Sequence, residues 1–395
     1  LTHKAPRAPQ SLRGWWHPKT APPPPLIVRE SLSLVSPGHK DPCMPPPSAP
    51  TNTVLLTGAA GFIGSHVAEA LLRRGDRVIG FDNFDPFYDA SMKRTNLREV
   101  EATASAASAS GQNKHAKPFE FIDADICDPD ALNAAFTTHR PTGVIHLAAK
   151  AGVRPSLADP MGYMRTNVLG TTAVLEAARK AMPTASDNQD GPGRCERIVL
   201  ASSSSVYGNN TIVPFSEDHD VSGPISPYAA SKRACELIAH THSHLTKMPT
   251  GCLRFFTVFG PRQRPDLAIR LFLRLAAKGE PITMYGTGDS SRDYTFVDDI
   301  VRGVLSAYDR IPKFGYRIWN VGGSHPMSLS DMIGTIAGAV GREVKIDHRP
   351  ARPGDVQQTY ADVARSANEL GYKAQVSFSE GVKCQWDWMK SVGDV

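Results

Sequence analysis

The segment TGAAGFIG at residues 57–64 restricts the fold of this chain more than any other part of its sequence. It follows a short β-branched run, residues 54–57, and leads into a helical stretch, residues 65–74, that stops at Gly75. A strand, a glycine-rich turn and a helix in this order begin a βαβ unit that binds a dinucleotide at the positive end of its helix. The segment therefore predicts a nucleotide-binding α/β fold.

Each glycine of this turn has a separate task in such a unit. Gly58 permits the tight turn, Gly61 lets backbone N–H groups approach a pyrophosphate, and Gly64 allows the helix to pack closely on the strand. Phe62 and Ile63 lie between them, so their backbone borders the same phosphate site. An ordinary βα turn has similar residues, and the prediction therefore needs support from neighbouring strands.

That support comes from the polar residues that follow the next strands. The second β-branched run ends at Asp82, where a carboxylate accepts hydrogen bonds from both ribose hydroxyls and repels a 2′-phosphate. Asp125 and Ile126 follow the third run, and Ala148 follows the fourth, at the same carboxyl edge of the sheet. The last three could equally be ordinary strand ends, but Asp82 together with the glycines favours NAD over NADP.

Short β-branched runs alternate with helical stretches through the first part of the chain, which predicts right-handed βαβ units and a parallel sheet. The fold class expected is α/β, a Rossmann-like doubly wound parallel sheet followed by a smaller C-terminal α/β lobe. We place the NAD-binding domain at residues 51–255 and the lobe at residues 256–392, and we expect the chain to cross between them. Two biased segments, residues 102–118 and 183–193, are predicted to be surface insertions.

Residues 1–50 have a different composition and contain 13 of the 32 prolines, which predicts a disordered tail. The tail has six Lys or Arg and two acidic residues, so it accounts for +4 of the net charge of +5 and leaves the rest nearly neutral. A broad nucleic-acid surface is therefore not expected.

No window of the sequence approaches the roughly 18 consecutive apolar residues of a membrane-spanning helix. We expect a cytoplasmic protein, with organelle targeting by the tail left open.

The six cysteines have neither CxxC spacing nor a zinc-type Cys/His pattern, so free thiols and no metal site are expected.

The catalytic candidates are a tyrosine, a lysine and a serine. Tyr228 and Lys232 lie one helical turn apart, and a neighbouring ammonium stabilises the phenolate that a tyrosine base needs. Four serines, residues 202–205, directly follow the fifth strand, and Ser203 is the candidate that would hold the substrate proton beside the tyrosine.

With these motifs in this order, residues 53–388 resemble the extended short-chain dehydrogenase/reductases, and within them the NAD-dependent nucleotide-sugar 4-epimerases. The segments DNFDPFYD at 82–89, AGVR at 151–154 and RFFTVFGP at 254–261 look like those of UDP-glucuronate 4-epimerases. The resemblance implies that the substrate is a UDP-hexuronate and that the 4-OH proton goes to a tyrosine while the C4 hydride goes to NAD. The 4-keto sugar then turns over and takes the hydride back on its other face.

The same resemblance assigns residues to the substrate. Arg292 and Arg352 match positions that hold the UDP diphosphate and ribose, and Arg264 matches a position at the sugar. Ser204, Ser205 and Thr257 offer hydroxyl donors to a C6 carboxylate. The alternative to these substrate-binding roles is that the arginines are solvated and the three hydroxyls cap a strand end.

Two other functions stay open at this point. Dehydratases and UDP-glucuronate decarboxylases of the superfamily carry an acid before the VYG segment, where this chain has Ser204 and Ser205. A neutral UDP-hexose 4-epimerase is the main alternative, and a non-catalytic NAD-binding module is disfavoured by the presence of both Tyr228 and Lys232.

The resemblance also implies a homodimer, formed by helices at about residues 162–181 and 228–245 that pack as a four-helix bundle.

Overall fold

The computed structural model describes residues 52–183, 194–350 and 357–395. The predicted disordered tail, Arg352 and all but the first residue of the predicted 183–193 insertion lie outside the described residues. The strands, in chain order, are β1 (Thr53–Thr57), β2 (Arg77–Asp82), β3 (Phe119–Asp123), β4 (Gly143–His146), β5 (Ile198–Ser203), β6 (Thr250–Phe255), β7 (Thr257–Phe259), β8 (Ile282–Tyr285), β9 (Ser291–Phe296), β10 (Tyr316–Val321), β11 (Pro326–Ser328) and β12 (Ile346–Arg349).

Seven of these strands form one parallel sheet in the order β10-β6-β5-β4-β1-β2-β3. The order reverses between β1 and β4, which makes the sheet doubly wound and opens a crevice at the carboxyl ends of these two strands. The first six strands coincide with the β-branched runs of the sequence, and most of them are buried on both faces, as a sheet covered by helices requires. The predicted α/β fold is confirmed.

The seventh strand comes from a later part of the chain. After β6 the chain leaves the central sheet, and β10 returns to pair with β6 along Tyr316–Val321. Trp319, in the middle of β10, is fully buried in the core cluster that also contains Leu56 and Val199 of the central strands. The central sheet is therefore built from residues on both sides of position 256.

The helices cover both faces of the sheet and fill the lobe. Their bounds are α1 (Phe62–Arg74), α2 (Ala90–Ala109), α3 (Pro129–His139), α4 (Val153–Ala158), α5 (Pro160–Tyr163), α6 (Gly170–Lys180), α7 (Pro227–Thr246), α8 (Ala268–Lys278), α9 (Val297–Arg310), α10 (Leu329–Val340), α11 (Ala364–Leu370) and α12 (Phe378–Ser391). A π-helical segment, Met164–Leu169, joins α5 to α6. The first helix ends at Gly75 with φ of 97°, a left-handed conformation that glycine adopts without strain.

One predicted insertion needs correction. Residues 102–109 are the last two turns of α2 and not a surface loop. Ala104 and Ala107 are buried on one face of this helix, while Ser105 and Ser108 are exposed on the other. Alanine has the highest helix propensity, so a segment rich in Ala extends a helix even where Ser and Thr make it resemble a linker. Only residues 110–118 form a loop.

The lobe contains two small sheets. In one sheet β9 pairs with β7 in parallel and with β11 in antiparallel orientation, and in the other β8 pairs with β12. The apolar core of the lobe joins α8, α10 and α12 to Phe259 and Phe296, and Phe62 at the start of α1 packs into the same cluster.

Three findings hold for the described residues as a whole. Within the described ranges, no helix has both the length and the apolar composition to cross a membrane. Among the same residues, no three His, Cys, Asp or Glu side chains cluster as a metal site. The five described cysteines have free thiols.

Candidate active site

A cavity of about 500 Å³ lies at the carboxyl edge of the central sheet, where the crevice between β1 and β4 meets β5, β6 and the N-termini of α1 and α7. Sixteen of the predicted site residues line it. They are Gly58, Gly61, Phe62, Ile63, Gly64, Asp82, Asp125, Ile126, Ala148, Ser203, Ser204, Ser205, Tyr228, Lys232, Thr257 and Arg264.

The glycine turn closes against its surroundings so tightly that side chains would not fit. Gly58 has φ of 73°, and a Cβ atom there would lie 2.7 Å from the backbone nitrogen of Ala148 on the next strand end. A Cβ atom on Gly64 would lie 2.0 Å from the carbonyl oxygen of Gly58. Gly61 is the N-cap of helix α1 and provides no side-chain acceptor, so the N–H groups of the first turn are available to an anion in the cavity.

Asp82 borders the same end of the cavity and is held in a fixed orientation. Its carboxylate accepts hydrogen bonds from the backbone N–H groups of Ala60 at 3.2 Å and Phe84 at 2.9 Å. Lys93 on α2 places its ammonium 3.9 Å from the carboxylate. Burial raises the pKa of Asp82, and the charge of Lys93 and the two amides oppose that shift. Lys93 is a site residue that sequence reasoning missed, because nothing in the local motif points to it.

Asp125 and Ile126 follow β3 on the same side of the cavity. The Asp125 carboxylate accepts a hydrogen bond from Asn83 at 3.2 Å and one from the backbone N–H of Cys127 at 2.8 Å. Ile126 packs against Gly170 of α6, where a Cβ atom would lie 2.6 Å from the Ile126 side chain. The two residues therefore shape a wall of the cavity beside Asp82.

The tyrosine and lysine lie in the first two turns of α7. Ser226 caps this helix by accepting a hydrogen bond from the N–H of Ala229 at 3.1 Å, which fixes where the helix starts. The Lys232 ammonium donates to the carbonyl oxygen of Ala201 on β5 at 2.8 Å. Tyr163 of α5 packs edge-on against the ring of Tyr228, with the ring centroids 6.0 Å apart. The phenol and the ammonium are thus held at one wall of the cavity.

Two successive serines at the end of β5 line the cavity and have different hydrogen-bond partners. Ser203 lines the cavity and its hydroxyl accepts a hydrogen bond from the N–H of Ser205 at 3.1 Å. Ser202 turns to α7 and donates to Glu236 at 2.7 Å. Glu236 is fully buried and forms a two-pronged ion pair with Arg254 on β6, at 2.8 and 3.0 Å. Glu236 thus connects the ends of β5 and β6 to the helix that carries Tyr228.

A second tie passes through the π-helical segment Met164–Leu169. The side chain of Asn167 accepts a hydrogen bond from the backbone N–H of Lys150 at 2.8 Å and donates to the Lys150 carbonyl at 2.9 Å. It also donates to Ser231 at 2.9 Å, and Ser231 in turn donates to the carbonyl of Tyr228. Sequence reasoning missed Asn167, whose irregular helix is a common device at functional sites but has no sequence motif.

A hydroxyl and a cation also line the cavity. Thr257 begins β7, and Arg264 follows in the loop before α8. The Arg264 guanidinium forms an ion pair with Asp266, with the closest N–O distance at 2.6 Å, and donates to the carbonyl oxygen of Ala151 at 3.0 Å. Its central carbon lies 4.7 Å from the centre of the Phe87 ring.

The two arginines predicted to hold UDP stand apart from this set. Arg292 lies on β9 and is not among the lining residues; it donates hydrogen bonds to the carbonyl oxygens of Ser291 and Gln357. Arg352 is outside the described residues. The structure therefore brings together the predicted cofactor and catalytic residues and one part of the predicted substrate set.

Comparison with known proteins agrees with this geometry. The family model described as GDP-mannose 4,6 dehydratase matches residues 55–385. A UDP-glucuronate 4-epimerase of Thermodesulfobacterium geofontis is 36% identical over 85% of this chain and 95% of its own length. UDP-glucuronate 4-epimerase 4 of Arabidopsis thaliana is 37% identical over 86% of this chain and 75% of its own length.

Solved structures give the same result. UDP-glucuronic acid 4-epimerase from Bacillus cereus, in complex with UDP-glucuronic acid and NAD, superposes with a TM-score of 0.75 at 32% identity, over 86% of this chain and 99% of that one. UDP-glucose 4-epimerase from Thermotoga maritima, with UDP-glucose, has a TM-score of 0.72 at 27% identity over 86% and 99%. The glycine turn, the tyrosine and lysine on α7 and these matches lead to one conclusion: the chain belongs to the extended short-chain dehydrogenase/reductases, in their branch of NAD-dependent nucleotide-sugar epimerases.

Proposed function

We propose that this protein is an NAD-dependent UDP-glucuronate 4-epimerase, which interconverts UDP-glucuronate and UDP-galacturonate. One observation carries the proposal. One cavity is lined by the glycine turn, Asp82, Tyr228 and Lys232, and the same cavity is lined by Thr257 and Arg264, a hydroxyl and a cation suited to a carboxylate. The relatives whose names specify UDP-glucuronate support the same substrate.

The residues of the cavity fit NAD. The uncapped N–H groups at the start of α1 would hold its pyrophosphate, and the Asp82 carboxylate would accept from its ribose hydroxyls. When bound, NAD supplies the chemistry of taking the hydride from C4 of the sugar and returning it. Because the cofactor ends each cycle in its starting form, the protein has no need to release it between turnovers.

Tyr228 moves the proton of the sugar 4-OH. As the C4 hydride leaves, the phenolate oxygen takes that proton, and the C4–O bond becomes a carbonyl. Lys232 stabilises the phenolate by its charge, and the Ser203 hydroxyl holds the sugar oxygen in place. After the 4-keto sugar turns over, the carbonyl oxygen takes the proton back from Tyr228 as the hydride returns to the other face of C4, which gives the 4-epimer.

The carboxylate of the sugar has to be restrained while C4 is oxidised. The oxidised sugar is a β-keto acid, which loses carbon dioxide readily once its carboxylate rotates perpendicular to the carbonyl plane. Thr257 and Arg264, with the Ser204 and Ser205 hydroxyls, are the donors that we assign to this group. Charge-assisted hydrogen bonds are worth roughly 1.5 to 3 kcal/mol each, which suffices to hold one rotamer.

Two further assignments complete the proposal. Arg292 and Arg352 are the residues that we assign to the UDP group, on the family resemblance alone. The protein is proposed to form a homodimer through α7 and the helix that α5, the π-helical segment and α6 make together. Large apolar side chains of these helices are exposed, namely Met161, Leu169, Leu237 and Leu245.

Incubating the purified protein with UDP-glucuronate and, separately, with UDP-glucose tests the substrate. We expect NMR spectra to show the 4-epimer of UDP-glucuronate and much slower conversion of UDP-glucose, because a neutral analogue leaves the carboxylate-binding groups unpaired. Equal or faster turnover of UDP-glucose would replace this proposal with the neutral UDP-hexose 4-epimerase.

A further inference from the structure

Arg264 is held on three sides. Its Nε and one terminal nitrogen donate to the two carboxylate oxygens of Asp266, at 3.0 and 2.6 Å. Its other terminal nitrogen donates to the carbonyl oxygen of Ala151 at 3.0 Å, and the Phe87 ring covers one face of the guanidinium. Only 12% of the Arg264 side chain is exposed, whereas 46% of Asp266 is exposed. The cation is thus buried at the cavity while its partner lies at the surface.

These contacts leave part of the guanidinium for a ligand. An arginine has five N–H donors in one plane, and the three hydrogen bonds above use three of them. No described residue accepts from the other two donors, which lie in a plane that the fork of Asp266 and the ring of Phe87 fix. A carboxylate bound by those two donors would be held in one orientation, because the arginine itself cannot rotate without breaking its fork.

Asp266 is charged in this arrangement. Burial works to raise the pKa of its carboxyl, but the hydrogen bonds and the charge of Arg264 outweigh burial and hold the pKa below its usual value. The Asp266 charge should by itself repel a second carboxylate bound to the same arginine. Its two possible effects on a sugar carboxylate, orientation and repulsion, therefore have opposite signs, and an experiment can separate them.

We propose that Asp266 is a positioning residue that fixes the plane of Arg264 and thereby keeps the oxidised sugar from losing its carboxylate. This inference rests on the proposed function. The reaction to be prevented cleaves the C5–C6 bond of the 4-keto sugar: carbon dioxide leaves, the electron pair moves to the C4 oxygen as an enolate, and a proton adds at C5. The products are a UDP-4-keto-pentose and one reduced cofactor, because no sugar then takes the hydride back in the epimerase sense.

The partition between epimer and by-product measures the role of Asp266. In Asp266→Ala, Arg264 loses its fork, and we expect the ratio of UDP-pentose products plus NADH to epimer to rise roughly threefold to fivefold, with a higher KM for UDP-glucuronate. Products are quantified by NMR and NADH by its absorbance. Asp266→Asn, which keeps one acceptor oxygen, should give a ratio between those of the wild type and Asp266→Ala, and it decides the question should the alanine variant fail to fold.

The chain offers a matched control. Asp347 forms an ion pair with Arg349 across the same spacing of two residues, at 2.9 Å, and neither residue lines the cavity. Asp347→Ala should leave both the partition ratio and KM unchanged. A general loss of stability in Asp266→Ala would slow both products in parallel and leave their ratio unchanged, and that result would overturn the proposal.

Two other results separate this proposal from its foundation. A lower KM for UDP-glucuronate in Asp266→Ala, without more by-product, would mean that Asp266 acts only through its charge and would overturn the positioning role while leaving the epimerase proposal intact. Absence of UDP-glucuronate epimerisation in the wild type would overturn the proposed function itself.

Discussion

Removing the phenol of Tyr228 and removing the hydroxyl of Ser203 should reduce epimerisation to different extents. Tyr228→Phe should reduce epimerisation by at least about 10³-fold, because no other group at the wall of the cavity is assigned to take the 4-OH proton. Ser203→Ala should retain measurable activity, since Lys232 still stabilises the phenolate. Epimer formation is followed by NMR, and calorimetry should find NAD binding unchanged in both variants. Near-wild-type turnover by Tyr228→Phe would mean that the base is misassigned.

We expect the negative charge of Asp82, which pairs with Lys93, to select NAD over NADP. Asp82→Ala should weaken NAD binding and also strengthen NADP binding, because the ammonium of Lys93, 3.9 Å from the carboxylate, loses its partner and faces the 2′-phosphate. Calorimetry with both cofactors measures this change. In the double variant Asp82→Ala, Lys93→Met the gain for NADP should disappear. Equal affinity of the wild type for NAD and NADP would contradict the role of Asp82.

At the scale of secondary-structure elements, His146 joins β1, β4 and α6. The Thr57 hydroxyl accepts from the N–H of Ala148 at 3.2 Å and forms a hydrogen bond with the imidazole Nδ1 at 2.6 Å. The other ring nitrogen forms a hydrogen bond with the Thr171 hydroxyl at 3.0 Å. This pattern satisfies a neutral ring, and burial, helped by the charge of Lys232, lowers the pKa of His146 from 6.5 to about 3.

The stability of this junction should depend on pH. The unfolded chain takes up a proton near pH 6.5 but the folded chain only near pH 3, so between those values the unfolded state binds more protons and stability falls as pH falls. For one such histidine the loss from pH 7 to pH 5 is about 2 kcal/mol. Urea unfolding of His146→Asn should show a pH dependence smaller by about that amount. An unchanged slope would contradict the prediction, and replacement of the exposed His348 is the control.

The elements that could be predicted are those whose signal is local. Each strand from β1 to β6 is a β-branched run, and the glycine turn and the Tyr228 to Lys232 spacing are contained within a few residues. By contrast, the long-range contacts could not be predicted. Lys93 meets Asp82 only because α2 packs beside α1, and Asn167 meets Ser231 only because an irregular helix passes next to α7.

The second half of α2 shows a different failure. Its composition of Ala, Ser and Thr is shared by linkers and by helices of low polarity, and composition without periodicity cannot separate the two. Burial of Ala104 and Ala107 three residues apart is what distinguishes them.

At the scale of the whole molecule, the exposed apolar side chains of the proposed dimer face offer a direct test. Leu237 and Leu245 lie about two turns apart on α7 and are 53% and 73% exposed, and the proposed second subunit would cover both side chains. Light scattering at micromolar concentration should give the mass of a dimer for the wild type. Leu237→Glu with Leu245→Glu should give a monomer, because two charges would be buried at the interface.

A control for that experiment lies elsewhere on the surface. Ile212, in the loop after β5, is 65% exposed and belongs to neither helix of the proposed dimer face. Ile212→Glu should leave the dimer mass unchanged. A monomeric mass for the wild type would rule the dimer out.

The return of β10 to the central sheet determines when this protein can fold during its synthesis. When the ribosome has finished β6, that strand is an open edge with unpaired backbone groups, the kind of edge that recruits other chains into aggregates. The whole of α8 and α9 and the strands between them must be made before Tyr316–Val321 arrives to cover it. A nascent chain stalled between these points holds the complete glycine turn, Tyr228 and Lys232, yet it exposes the unpaired edge of β6. At this stage chaperones should bind it most strongly.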